Sequence, residues 1–408
     1  MKTTGNSTYI KKQKFEKKTW LLLIGIIFIA STLRSPLTSV GPIIGSIRDG
    51  LGMSNVLAGF LTTIPLLAFA FISPFAPKIS KRFGMELTLF ISLFILTGGI
   101  LLRSVGSIFF LVVGTFLIGV AIAFGNVLLP ALVKLSFPLH LGIMTGIYSV
   151  AMNLSATIAS GISAPIVMNT NFGWRGALAI WASLSILALL LWLPQLKSKR
   201  SLETQTEKSP KGKFNLWRSP IAWAVTFFMG LQSLLFYSTS AWMPEMLVSE
   251  GMDTEKAGWM LSLMQLSQLP VTFIIPILAD RLKDQRIIVA SIVVIYLIGY
   301  GGVFAGGVSW TPLWMIMIGI AGGASFGLAM MFFALRTETH TEAAELSGMA
   351  QSSGYLVAAI GPVLFGFLND MTHSWKGPMF IFIIVSVLIL ICGMKAGRDE
   401  KVSAYKTM

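Results

Sequence analysis

The chain has 408 residues, of which 54% are hydrophobic and only 12% charged, and its 31 Lys and Arg against 17 Asp and Glu give a net charge of +14. A soluble domain carries roughly 25% charge, so a water-soluble globule is excluded, and the basic excess is read as membrane topology rather than as a nucleic-acid footprint. The apolar residues fall in runs of about 20, the length that crosses a hydrocarbon core about 30 Å thick, and none alternates as a membrane β-strand does.

The chain opens with Lys11, Lys12, Lys14, Lys17 and Lys18 ahead of an apolar run from Trp20 to Leu33. This has the outline of a secretion signal. However, the helical pattern resumes after Arg34 and no small-x-small site closes the run, so a retained first span is expected. Charges and turn residues then delimit twelve spans: 20–45, 55–76, 86–103, 107–130, 142–168, 174–194, 219–245, 257–279, 286–306, 310–335, 346–369 and 376–396.

With the N-terminus in the cytoplasm, 25 of the Lys and Arg fall on the cytoplasmic side. Five (Arg48, Arg103, Arg175, Lys256 and Lys376) fall outside, and Arg34 lies within a span. The bias predicts cytoplasmic termini in a cell membrane. The one long polar stretch, 195–218, reads as a cytoplasmic linker between bundles at 20–194 and 219–396, with tails at 1–19 and 397–408.

The two halves repeat at an offset near 200 residues. Trp174-Arg175-Gly176 matches Trp375-Lys376-Gly377, Pro42 matches Pro244, and Gly119 matches Gly319. The turn from Pro77 to Gly84 matches the turn from Pro276 to Lys283. Parallel repeats of this kind place a substrate site near mid-membrane between the halves.

These features resemble the major facilitator superfamily, whose loop motif (Gly-x-Leu-Ala-Asp-Arg-x-Gly) survives best as Leu278-Ala279-Asp280-Arg281. The chain departs from it with Pro77 and Pro276 at the Gly position and Lys81 at the first-half Asp position, which questions the usual interdomain charge contacts of the first half. The segments LRSPLTSVGP from Leu33, GLQSLLFYSTSAWMP from Gly230 and LSGMAQSSGYLVAAIGP from Leu346 are similar to the cyanate / 2-nitroimidazole transporter family. The resemblance implies an all-α fold of about twelve membrane helices in two pseudo-symmetric six-helix bundles, working by alternating access. It also implies gating roles for Lys81, Arg82, Asp280 and Arg281, and supplies cyanate and nitroimidazole as reference substrates. The glycine-proline pattern of proton-driven drug exporters is missing between Asn153 and Pro165.

Arg34 is the leading candidate substrate contact. On a continuous helix it stands about 21 Å beyond Trp20, where a charge is costly and faces a bundle interior or a water-filled cavity. No deep carboxylate in the first half neutralises it, and a guanidinium holds anions bidentately. The competing reading is a structural arginine bonded to carbonyls freed by Pro36 and Pro42. In span seven Gln232, Phe236 and Ser240 share a face, with Ser233 and Tyr237 beside it. That face reads as a ligand wall or as interhelical bonding, and Trp242 as an interface anchor. Ser149 and Asn153 in span five map at an offset of 202 onto Gln351 and Tyr355, a paired polar lining or polar glue between helices. Asn126, Gln265 and Gln268 are further candidates.

Gly319, Gly322, Gly323 and Gly327 read as close helix packing. Arg336, Glu338, His340, Glu342 and Glu345 read as exposed loop charge, with a gate or proton relay as the alternative. The three histidines (His140, His340 and His373) are scattered and Cys392 stands alone, so no metal site, disulfide or intramembrane enzyme is expected. No P-loop is present, so no nucleotide cofactor is implied. The expected function is secondary active transport of a small anion or compact polar heteroaromatic by a monomer in the lipid bilayer, with proton symport as the default coupling and uniport as its alternative, and with no nucleic-acid partner. An exporter of neutral amphiphiles is the alternative.

Overall fold

A backbone that must satisfy its polar groups without water folds as helices, and every long apolar run does so. The computed structural model describes residues 17–53, 55–196, 216–306 and 308–405. Among these, twelve helices are long and apolar enough to span a membrane. Spans 1 to 6 are Thr19–Leu51, Phe60–Phe83, Met85–Arg103, Ile108–Ser136, Pro138–Met168 and Gly173–Leu196. Spans 7 to 12 are Pro220–Pro244, Trp259–Arg281, Arg286–Phe304, Thr311–Leu335, His340–Asn369 and Lys376–Ala396. The outer surface stays apolar, with Phe94, Phe109, Leu190, Val294 and Ile391 exposed, as lipid-facing positions require. Most of the expected linker and both extreme tails lie outside the described residues.

Several expected boundaries move. Span 1 is not one helix: regular turns run Lys17–Thr32 and Ile44–Leu51, with short helical pieces Ser35–Thr38 and Gly41–Ile43 between them. Pro36 and Pro42 have no N–H to give the carbonyls four residues back, and the residue before a proline disfavours the α region. The 21 Å rise expected for Arg34 therefore does not apply, because the helix ends at Thr32 before reaching it. Spans 2 and 4 run past their expected ends, so Lys81, Arg82 and Lys134 sit on helical turns rather than in loops.

Close backbone approach fixes where the halves meet. A Cβ on Gly142 of span 5 would stand 2.6 Å from the Pro276 carbonyl oxygen of span 8, and one on Gly146 would stand 2.9 Å from that of Phe273. A Cβ on Gly348 of span 11 would stand 3.1 Å from the Ser73 carbonyl oxygen and from the Pro77 ring of span 2. Gly146 and Gly348 are 202 residues apart, so the duplicated sequence makes the same crossing twice. Both crossings sit at the end of the bundle where the chain termini lie.

Two charged groups expected in exposed loops are buried there. Arg336 is 1% exposed and donates to the Ala396 carbonyl at 2.7 Å, to the Gly397 carbonyl at 3.2 Å and to the Gln285 amide oxygen. Burial holds its guanidinium below the usual value, at about 10, so it stays charged at neutral pH. Glu342 is also buried, accepting from the Glu338 backbone N–H at 2.8 Å. Nor is the start of the C-terminal segment a free tail. Lys401 Nζ donates to the Leu335 carbonyl at 2.6 Å, the Val402 N–H donates to the Arg336 carbonyl at 2.8 Å, and Val402 is fully buried.

Candidate functional site

The break in span 1 is held by side chains that take up its freed carbonyls. The Thr38 carbonyl, released by Pro42, accepts from Ser160 Oγ of span 5 at 3.3 Å, and the Ser31 carbonyl accepts from Ser155 Oγ at 2.7 Å. The Pro36 carbonyl would ordinarily take the Val40 N–H, but that N–H turns to Leu37. Arg103 Nη1 donates to Pro36 instead, at 2.7 Å. Arg103, expected in an outside loop, is 1% exposed at the end of span 3. Arg103 thus makes the kind of carbonyl contact that was weighed for Arg34.

Arg34 is left half-buried at the break, facing the second half. Its guanidinium lies over the Phe326 ring of span 10, 4.5 Å from the centroid, and 5.2 Å from the centroid of Phe236 of span 7. Contacts of this kind favour a cation by about 0.5–2 kcal/mol. Nη1 donates to Asn153 Oδ1 at 3.0 Å, so the group is not wholly without a protein acceptor, as had been expected. Asn153 Nδ2 in turn donates to Thr272 Oγ1 of span 8 at 3.4 Å, and this carries the link across the halves.

Asn153 and Tyr355 stand near the midpoints of spans 5 and 11, so the assembly lies at mid-span depth. Two small adjoining hollows open there. Arg34, Asn126, Tyr237, Gln351 and Tyr355 line the first, together with Phe69, Met152 and Phe326. Arg34, Gln232, Phe236, Tyr237, Gln268 and Tyr355 line the second, with Gly322 and Phe326. Seven of the eight residues expected to contact substrate line these hollows and the eighth, Asn153, is bonded to Arg34. Each hollow is on the scale of a single water molecule.

The other sequence candidates divide. Trp242 is tied to the Pro362 carbonyl by its indole N–H at 2.7 Å and lies against Trp375, away from the hollows. Gln232 donates to Ser233 Oγ at 2.8 Å within its own helix. Gly319 and Gly323 do pack against span 8, with a Cβ 2.2 Å from the Met264 carbonyl oxygen and 2.5 Å from that of Gln268. Gly322 differs: its nearest neighbours stand 3.7 Å away and it faces the second hollow. Phe326 was missed, although the repeat offers a signal for it, since Phe124-Gly125 matches Phe326-Gly327 at the 202 offset of the polar pairs. Gln351, which lines the first hollow, is 1% exposed and its Oε1 has no partner among the described residues.

The terminus-bearing end is closed by paired groups. Lys81 forms a salt bridge with Glu345 at the start of span 11, and Asp280 Oδ2 accepts from the Gly142 N–H at the start of span 5 at 3.0 Å. The first half therefore does make an interdomain charge contact, with the lysine meeting a carboxylate where the second half sets a carboxylate against a helix N-terminus. Arg82 and Arg281 are exposed beside them. Lys134 Nζ adds bonds to the Ala334 carbonyl at 2.8 Å and the Thr337 carbonyl at 2.6 Å, capping the end of span 10 from the other half. Among the described residues no group of three or more His, Cys, Asp or Glu gathers to hold a metal.

Comparison with known proteins matches the Major Facilitator Superfamily over residues 20–359 and 251–406. The chain is 51% identical over 384 residues to the uncharacterized transporter YycB of Bacillus subtilis, covering 94% of this chain and 95% of that one. It is 40% identical over 389 residues to the 2-nitroimidazole transporter of Escherichia coli, covering 95% of this chain and 98% of that one. The cyanate transport protein CynX of Escherichia coli is more distant, 24% identical over 360 residues, 87% of this chain and 91% of that one. In fold the chain is similar to the proton:xylose symporter XylE, with a TM-score of 0.77 at 13% identity over 96% of this chain and 100% of that one.

Proposed function

Because the chain belongs to the Major Facilitator Superfamily, whose members here are transporters and not enzymes, we propose that it carries a small flat anion or compact polar heteroaromatic across the cytoplasmic membrane by alternating access. The observation that carries the reading is the Arg34 guanidinium. It lies over aromatic rings at mid-span depth, with one N–H committed to Asn153 and four of its five donors without a protein acceptor among the described residues. Such a fork matches two oxygens in a plane, the geometry of both a carboxylate and a nitro group. The rings of Phe326, Tyr237, Tyr355 and Phe69 give a flat ligand faces to stack on. The name of the 2-nitroimidazole relative supports this chemistry, and that of the cyanate relative supports a small anion.

Closure by Lys81, Lys134 and Asp280 at one end supports alternating access, the halves rocking about the Arg34 level. The distribution of Lys and Arg supports cytoplasmic termini, and a complete central site within one chain supports a working monomer. Ligand-induced thermal stabilisation of the purified protein tests the chemistry. 2-Nitroimidazole and 4-hydroxybenzoate are expected to stabilise it, and imidazole and phenol, which lack the two-oxygen group, are not. Equal stabilisation by all four favours a carrier of neutral flat molecules instead.

A further inference from the structure

We propose that transport of a monoanion by this chain is electrogenic and independent of protons, so that the membrane potential draws the anion toward the positive side. The inference rests on Arg34 being the anion contact, and it follows from the charges that face that group. No Asp, Glu or His occurs between the ends of any span at the depth of Arg34. From its own half Arg34 faces Asn153, and from the other half Phe236, Tyr237, Phe326 and Tyr355, all neutral. Among the described residues no carboxylate lies within ion-pair distance of Arg34.

Among the residues that line the two hollows Arg34 alone is charged. Glu345 meets Lys81 and Asp280 meets the Gly142 N–H, both at the ends of spans. Arg103 is fixed to Pro36 and Ser39 of its own half and takes no part in the hollows. The empty site therefore carries one positive charge and the site holding a monoanion carries none. Reorientation of the loaded carrier moves no net site charge, whereas return of the empty carrier moves one. A full cycle displaces one negative charge, and no side chain at the site takes up or releases a proton to offset it. A carrier with an embedded carboxylate exchanges protons at this step; here the field itself acts on the empty guanidinium.

The test uses the wild-type protein in liposomes with radiolabelled 4-hydroxybenzoate as the probe. Counterflow is measured first, with no potential and no pH gradient. A potassium diffusion potential of about 100 mV is then imposed with valinomycin, and finally a pH gradient is imposed with the potential clamped at zero. We expect counterflow, accumulation on the positive side toward the about 50-fold ratio of one elementary charge, and no accumulation from the pH gradient. Counterflow that ignores the potential and follows the pH gradient overturns the inference while leaving the anion-carrier reading intact. Absence of counterflow from folded protein overturns both.

Discussion

Arg103 Nη1 and the Pro36 carbonyl lie 2.7 Å apart, joining the end of span 3 to the broken middle of span 1. The contact exists because Pro36 and Pro42 interrupt the helical ladder and leave carbonyls that lipid cannot satisfy. By filling that need from a neighbouring span, Arg103 leaves Arg34, two residues before Pro36, to face the second half.

Arg103→Met removes this charged donor and leaves the Pro36 carbonyl with only the longer bond from Ser39 Oγ at 3.2 Å, a loss of about 1.5–3 kcal/mol for the charge-assisted bond. The melting temperature in detergent is expected to fall, with Arg103→Lys recovering part of the loss, and substrate KM of the folded fraction is expected to stay near wild type. An unchanged melting temperature contradicts the structural role.

Asn153→Asp sets a carboxylate in place of an amide whose oxygen is 3.0 Å from the Arg34 guanidinium. Opposite charges that close attract by about 4 kcal/mol at the effective dielectric of a partly wet site. The site becomes neutral, and binding of 4-hydroxybenzoate is expected to weaken on the order of a hundredfold by equilibrium dialysis. Wild-type affinity for the anion in this variant sinks the claim that site charge sets selectivity.

Phe326→Leu keeps an apolar side chain and removes the ring 4.5 Å from the guanidinium. The lost cation–π contact is worth about 0.5–2 kcal/mol, so substrate KM is expected to rise about 2- to 30-fold while protein yield and melting hold. A rise in KM with Phe236→Leu alone would move the principal stacking contact to span 7.

Lys134→Met keeps the length of the side chain and removes its bonds to Ala334 and Thr337 across the halves. Charge-assisted hydrogen bonds contribute about 1.5–3 kcal/mol, enough to raise the open population at the terminus-bearing end on the order of tenfold. A cysteine placed by Ser347→Cys in a Cys392→Ser background reports this, because Ser347 is fully buried against span 4 in the closed end. Modification by a membrane-impermeant maleimide is expected to accelerate; an unchanged rate means the lysine does not hold that end shut.

The fold and most of the candidate lining were legible because they rest on local pattern. Span lengths, the 202-residue repeat and polar side chains in apolar helices are written in the chain, and Arg34, Asn153, Gln351 and Tyr355 stand out against their surroundings. What escaped depends on distant packing. Arg103 lies at the end of an apolar run, where its sequence is that of a loop charge, and only the broken carbonyls of span 1 draw it inside. Arg336 is buried because the chain beyond span 12 folds back over it, which no local window reports. Phe326 is one of 28 phenylalanines, and Gly322 one of several glycines in its run; their direction follows from how span 10 is rotated against span 8.

The central claim is that Arg34 holds the substrate. Counterflow of 4-hydroxybenzoate in liposomes, compared for wild type, Arg34→Lys and Arg34→Ala at matched folded protein, tests it most directly. Two charge-assisted hydrogen bonds lost together predict a fall of at least about a hundredfold in kcat/KM for Arg34→Ala, and the loss of the planar fork predicts a smaller one for Arg34→Lys. Wild-type flux from folded Arg34→Ala would contradict the account and leave Arg34 a structural residue.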